Sequence, residues 1–307
     1  MNVKKISTFN LKIIAITAML IDHIALVLNN HNIIAADLYL LMRGIGRISF
    51  PLFAFMLVTG FQKTHDKTKY FINIMMFAGI SQIPYTMSNN RQNAGSFVGN
   101  TDFSNIFSFS VKYFIVCAVI VVLYSIISRR NVHKVKNTVI VGLSLLISGI
   151  TYSHGGFIFL NSSGLNVFYS LAIGLLVMHT AECAYNDLKG HKISFDGILL
   201  CMTAILIVYA VGKKANYGYY GTLLILGLYM LKKHLNYQAV YAALWALLYT
   251  QIAVKNVFLC ICTMIASVFI YLYNGNKGKS MKYVFYAIYP VHLLIMGIIN
   301  LAVFFWL

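Results

Sequence analysis

Acidic side chains are scarce: seven Asp and Glu stand against 24 Lys and Arg, and all four types make up only 10% of the 307 residues. Soluble domains carry about a quarter charged residues, so this chain cannot build an ordinary water-facing surface. Prolines number three, and no fixed-period repeat or low-complexity tract divides the chain into modules. The five cysteines (Cys117, Cys183, Cys201, Cys260 and Cys262) contain no CxxC pair. They read as reduced packing residues in apolar runs, and no metal is expected. No cleavable leader is expected either. The first apolar stretch, Phe9 to Asn29, follows Lys4 and Lys5 but is too long, holds Asp22 and His23, and lacks a small-residue cleavage site.

The net charge of +17 would suggest nucleic acid in a soluble protein. Here the basic residues punctuate apolar segments and do not form a face beside aromatics, so no nucleic-acid partner is expected.

What the chain does have is apolar sequence, 60% of the total, in stretches near the roughly 20 residues needed to cross a bilayer. The expected fold is all-α, a polytopic transmembrane helical bundle of about 10–11 helices forming one domain over residues 1–307. The spans fall at 9–29, 36–61, 70–87, 106–128, 137–153, 163–181, 195–212, 217–231, 238–253, 256–273 and 283–306. Several are short enough to be tilted or re-entrant.

Lys and Arg alternate between successive loops as this parsing requires. With the amino terminus inside, one side holds sixteen of them: Lys4, Lys5, Lys63, Lys67, Lys69, Arg129, Arg130, Lys134, Lys136, Lys189, Lys192, Lys232, Lys233, Lys277, Lys279 and Lys282. The other side holds only Arg91, Lys213, Lys214 and Lys255. The expected setting is the cell membrane, multi-pass, with a cytoplasmic amino terminus. The outer connection Ser88 to Asn105 is polar and Gly-bearing, and reads either as a plain solvated loop or as a lid.

Ionisable side chains inside spans cost on the order of 2.5–3.5 kcal/mol each at the bilayer centre. Asp22, His23, Arg43, Arg47 and His292 are of this kind. They act either as helix-fixing ion pairs or as a functional site. Arg43 and Arg47 are one helical turn apart and repel each other unless an anion lies nearby. Asp22 and Arg43 lie at equal depth, about 10 Å from the outer ends of their spans, which predicts a pair between them. Arg47 is then either available to a substrate carbonyl or anion, or shares Asp22.

Asp22 and His23 cannot form a catalytic dyad, because consecutive helical residues point about 100° apart. His23 alone is a candidate general base. Lys12 lies eleven residues before it, on nearly the same face and about 16 Å away. That separation suits a long, narrow ligand with phosphates at Lys12, although Lys12 also fits a simple snorkel to the interface. In the last span Pro290 frees the carbonyl near Tyr286, so Tyr289 and His292 are expected to face the same interior as His23.

Several stretches together resemble the TraX family of membrane proteins, associated with acetylation of the amino terminus of conjugative pilin. They are Leu11–Ala15 leading to Ile21-Asp22-His23, then Arg43-Gly44-Ile45-Gly46-Arg47-Ile48-Ser49-Phe50-Pro51, and Gly60-Phe61 with Thr64 and Lys69-Tyr70. Ser81-Gln82-Ile83-Pro84, Asn105–Ser108, Tyr217-Gly218 with Gly221, and Phe285–Leu294 follow in order. Asn216 stands where an acidic residue would be expected. The Lys12 to His23 spacing also resembles the basic-x10-His arrangement of acyltransferase family 3 enzymes.

These resemblances imply an acetyltransferase using acetyl-CoA, with His23 as base or acyl carrier and Arg47 and His292 as its catalytic neighbours. Lys12, Asp22, Arg43, Asn105, Tyr217 and Tyr289 are the implied substrate- or cofactor-binding residues. The partners would be acetyl-CoA, an unknown acceptor such as a pilin-like peptide or a glycan, and the bilayer. The same charges also suit a permease or flippase for an anionic solute or lipid, or a noncatalytic partner of a secretion or conjugation machine.

Overall fold

The computed structural model describes residues 5–89, 142, 164–191, 194–280 and 282–306. Among these there are ten α-helices and no β-strand, so the protein is all-α. They are α1 (Thr8–Asn30), α2 (Ala36–Gly46), α3 (Ser49–Lys63), α4 (Lys67–Asn89), α5 (Val167–Lys189), α6 (Phe195–Ala210), α7 (Gly218–Met230), α8 (Leu235–Tyr249), α9 (Val257–Tyr271) and α10 (Lys282–Trp306). The expected span 106–128 lies outside the described residues, as does 137–153 apart from Gly142. Among the described residues, four segments are long and apolar enough to cross a membrane: Thr8–Asn30, Ala36–Lys63, Val167–Lys189 and Gly197–Lys214.

Some boundaries differ from expectation: α5 covers Val167–Lys189 where 163–181 was expected, and the second span is interrupted. The span foreseen as a single helix over 36–61 is broken at Arg47 and Ile48, between α2 and α3. Pro51 explains the break. An unbroken helix would bond the N–H of residue 51 to the carbonyl of Arg47, and proline has no N–H. Proline is tolerated in the first turn of the new helix α3, where its missing donor is not needed.

Two compact units make up the chain. The first contains Met1–Gln62, Met87–Arg91 and Leu223–Leu307. In it α1 packs against α2 and α10, and α9 packs against α2 and α8. Two glycines allow α2 to be gripped from both sides. A Cβ on Gly44 would come within 2.8 Å of Cys262 Sγ and Phe258 Cε1 on α9, whereas one on Gly46 would overlap the Asp22 carboxylate on α1.

The start of α1 is stitched to the loop before α10. Ile6 N–H donates to the Leu272 carbonyl at 3.1 Å, Asn274 N–H to Ile6 at 2.9 Å, Thr8 N–H to Asn276 at 2.8 Å and Phe9 N–H to Lys277 at 3.1 Å. These bonds satisfy amide groups that a helix amino terminus otherwise leaves open, and they gather Lys5, Lys277 and Lys279 at that end. Val257, Ile261, Ile265 and Val268 on α9, with Val291, Ile295 and Ile298 on α10, are exposed. Such apolar outer faces suit lipid, not water.

The second unit contains Lys63–Thr86 and Gln92–Thr222. Its described core joins α4 to α5 through a closed polar network. Asn166 caps α5 by accepting from Phe168 N–H at 3.0 Å, and its Nδ2 donates to the Ala78 carbonyl at 2.7 Å and to Gln82 Oε1 at 2.9 Å. Gln82 Nε2 in turn donates to the Gly164 carbonyl at 3.0 Å. Both side chains are wholly buried, and a fully paired buried network of this kind holds one register. Lys67 and Glu182 form an ion pair between the same two helices.

Candidate functional site

Asp22 and His23 sit mid-way along α1, and because adjacent helical residues diverge by about 100° they serve different neighbours. Asp22 turns to α2. Arg43 Nη1 donates to Asp22 Oδ2 at 2.6 Å, the two side chains being 16% and 19% exposed respectively. This is the pairing that their matched depth predicts. Arg47, at the carboxyl end of α2, lies within electrostatic reach of the same carboxylate, and its Nε is enclosed. The second carboxylate oxygen, Asp22 Oδ1, is buried and has no hydrogen-bond partner among the described residues.

His23 turns to α10. Its Nδ1 stands 3.3 Å from Nε2 of His292, with ring centroids 4.9 Å apart. His292 is buried, and its Nδ1 lies 2.8 Å from the Ile288 carbonyl. Tyr289, also buried, packs edge-on to His292 with centroids 5.4 Å apart. Pro290 lies between them inside α10.

The partners set the tautomers. A carbonyl only accepts, so His292 Nδ1 carries the proton. Neutral His292 then offers Nε2 as an acceptor, and His23 Nδ1 donates to it. Neutral His23 is left with its lone pair on Nε2. A ring oriented by a second hydrogen-bonding group, with one basic nitrogen remaining, is the arrangement a general base requires.

Lys12 is half-buried on the same uninterrupted helix as His23, eleven residues earlier and therefore about 16 Å away along the axis. Asn105 lies outside the described residues, as does nearly all of the Ser88 to Asn105 connection. Tyr217 belongs to the second unit, where its backbone N–H meets Ser170 Oγ at 3.5 Å.

Two residues that no motif marks join the α1–α10 seam. His31 Nε2 donates to Asn300 Oδ1 at 3.0 Å, and Asn300 Nδ2 donates to the Ser88 carbonyl at 2.9 Å. The sequence signal for them is positional: His31 follows His23 by eight residues and Asn300 follows His292 by eight, so parallel helices that bring one pair together bring the other.

A sequence model of the family described as TraX protein matches residues 7–157 and 113–300. A protein of Dichelobacter nodosus, named probable fimbrial assembly protein FimC, serogroup H1, is 38% identical over 80 residues, which is 26% of this chain and 32% of that relative. The chain thus matches about a third of that relative's length. No solved structure matches.

Proposed function

Because the chain belongs to the TraX protein family, we propose that it is a membrane-embedded acetyltransferase, moving an acetyl group from cytoplasmic acetyl-CoA to a peptide amino terminus presented from the far side. The observation that carries this reading is the imidazole relay, Ile288 carbonyl to His292 to His23, which leaves one basic nitrogen at mid-helix beside an arginine-rich wall.

In this reading the acceptor nitrogen attacks the thioester carbonyl carbon. A C–N bond forms and the C–S bond breaks. His23 Nε2 takes the proton lost by the amine and passes it to the departing thiolate, so that the products are the acetylated amine and the free thiol. Arg47, with its planar donors, meets the negative charge that develops on the carbonyl oxygen. Asp22 Oδ1, an acceptor without a partner, suits an N–H donor such as the incoming amine.

The donor's phosphates would lie at the Lys12 end, where the stitched loop adds Lys5, Lys277 and Lys279. In this reading the protein is multi-pass and its amino terminus lies in the cytoplasm. Asn105 and Tyr217 keep the binding roles that the family resemblance implies. The name of the FimC relative, a fimbrial assembly protein, favours a pilin-like peptide as acceptor over a glycan.

The test is transfer of labelled acetyl from acetyl-CoA to an amino-terminal pilin peptide by the purified chain in nanodiscs. Label should appear on the α-amine and vanish with His23→Ala. An anionic solute flux that needs no acetyl-CoA and is lost on Arg47→Ala would replace the enzyme with a permease.

A further inference from the structure

The second rung of the α1–α10 seam has a feature that its own packing does not use. His31 is 93% buried, being 7% exposed. Asn300 is wholly buried, and its orientation is set by donation from Nδ2 to the Ser88 carbonyl. Asn300 Oδ1 therefore accepts, His31 Nε2 carries the proton, and neutral His31 has its lone pair on Nδ1. That Nδ1 is buried and has no hydrogen-bond partner among the described residues. On the preceding residue, Asn30 Nδ2 is an enclosed donor that is likewise without one. A buried acceptor left without a donor is what a peptide backbone N–H fills, since each residue of a peptide offers one.

The distance sets which peptide residue arrives there. Eight helical residues separate His23 from His31, about 12 Å. An extended peptide covers that in three to four residues at roughly 3.3–3.6 Å each.

We infer that His31 is a positioning residue for the acceptor, taking a hydrogen bond from a backbone N–H three or four residues beyond the amine being acetylated. The inference rests on the acetyl-transfer reading and narrows its acceptor to an extended peptide. Small amines would reach His23 but leave His31 unused.

The experiment uses the full chain in nanodiscs with acetyl-CoA and amino-terminal peptides of one to six residues. kcat/KM should step up by about tenfold between the two-residue and the four- or five-residue peptide, the effect of one well-placed hydrogen bond. In wild-type protein, N-methylation of the fourth- or fifth-residue amide should remove the step. His31→Phe should remove it as well, whereas His31→Asn, which keeps an acceptor close to the Nδ1 position, should restore part of it. All variants should still acetylate the dipeptide at the wild-type rate. A flat length profile, or a step that survives N-methylation, overturns the inference while leaving acetyl transfer intact. Were no peptide acetylated, binding of a fluorescent pentapeptide that N-methylation or His31→Phe weakens tenfold would sustain the subsite and sink the transferase. Binding insensitive to both changes would sink the subsite too.

Discussion

His292 Nε2 accepts from His23 Nδ1 across 3.3 Å although 269 residues separate the two in sequence. His292 is itself oriented by the Ile288 carbonyl at 2.8 Å, so the two rings act in series. His23→Ala should lower acetyl transfer by about 10²–10⁴-fold, the usual contribution of a general base. His292→Ala should cost about 10–100-fold, as loss of an orienting partner does. The measurement is label transfer at saturating acetyl-CoA. Equal rates for His292→Ala and wild type would show that the relay is not used.

The Asp22–Arg43 pair separates glue from chemistry. Removing one partner, as in Asp22→Ala or Arg43→Ala, should destabilise the folded chain by about 3 kcal/mol, because a charge is left buried alone. The double exchange Asp22→Arg with Arg43→Asp should regain part of the melting temperature in detergent but not the transfer rate. Full activity in the exchanged protein would reduce the pair to a structural role.

Gly46 is needed for space. A Cβ there would overlap the Asp22 carboxylate, so Gly46→Ala should push α2 off α1 and cost about 1–3 kcal/mol, the range for overpacking a tight contact. A Gly46→Ala protein that melts at the wild-type temperature and transfers at the wild-type rate would contradict the packing described here.

Pro51 sets where Arg47 sits. Pro51→Ala restores the N–H that can bond the Arg47 carbonyl and allows α2 and α3 to join. Stability should hold or rise slightly, yet transfer should fall by about tenfold or more, since a misplacement near 1 Å can cost about 10²-fold. If activity is unchanged, the break is not part of the site.

Arg47→Lys keeps the charge but loses the planar fork. Transfer should drop by about 10²-fold, as on removal of one oxyanion donor, with acetyl-CoA affinity little changed. A loss confined to donor affinity would move Arg47 from the carbonyl to the phosphates.

Much of this was legible along the chain because it depends on local rules. Apolar runs near bilayer length became α1 and α10, with ends within one residue of those expected, whereas α5 ends eight residues beyond its expected span because the amphipathic stretch up to Lys189 continues the helix past the apolar run. Equal depth in adjacent spans foretold the meeting of Asp22 with Arg43, and the 100° step between neighbours separated Asp22 from His23. The break at Arg47 was less visible, although Pro51 marks it, because apolar character continues unbroken across Ala36–Lys63.

The sequence by itself determined that the chain is helical, apolar and membrane-suited, and that a few costly polar residues recur on its first, second and last spans. Tertiary structure decided which of them meet. The His23–His292 contact and the His31–Asn300 rung depend on the parallel alignment of α1 and α10. Contacts between helices so far apart in sequence are set by how side chains interlock across the seam, and hydropathy, periodicity and charge count along one helix carry no information about its register against another.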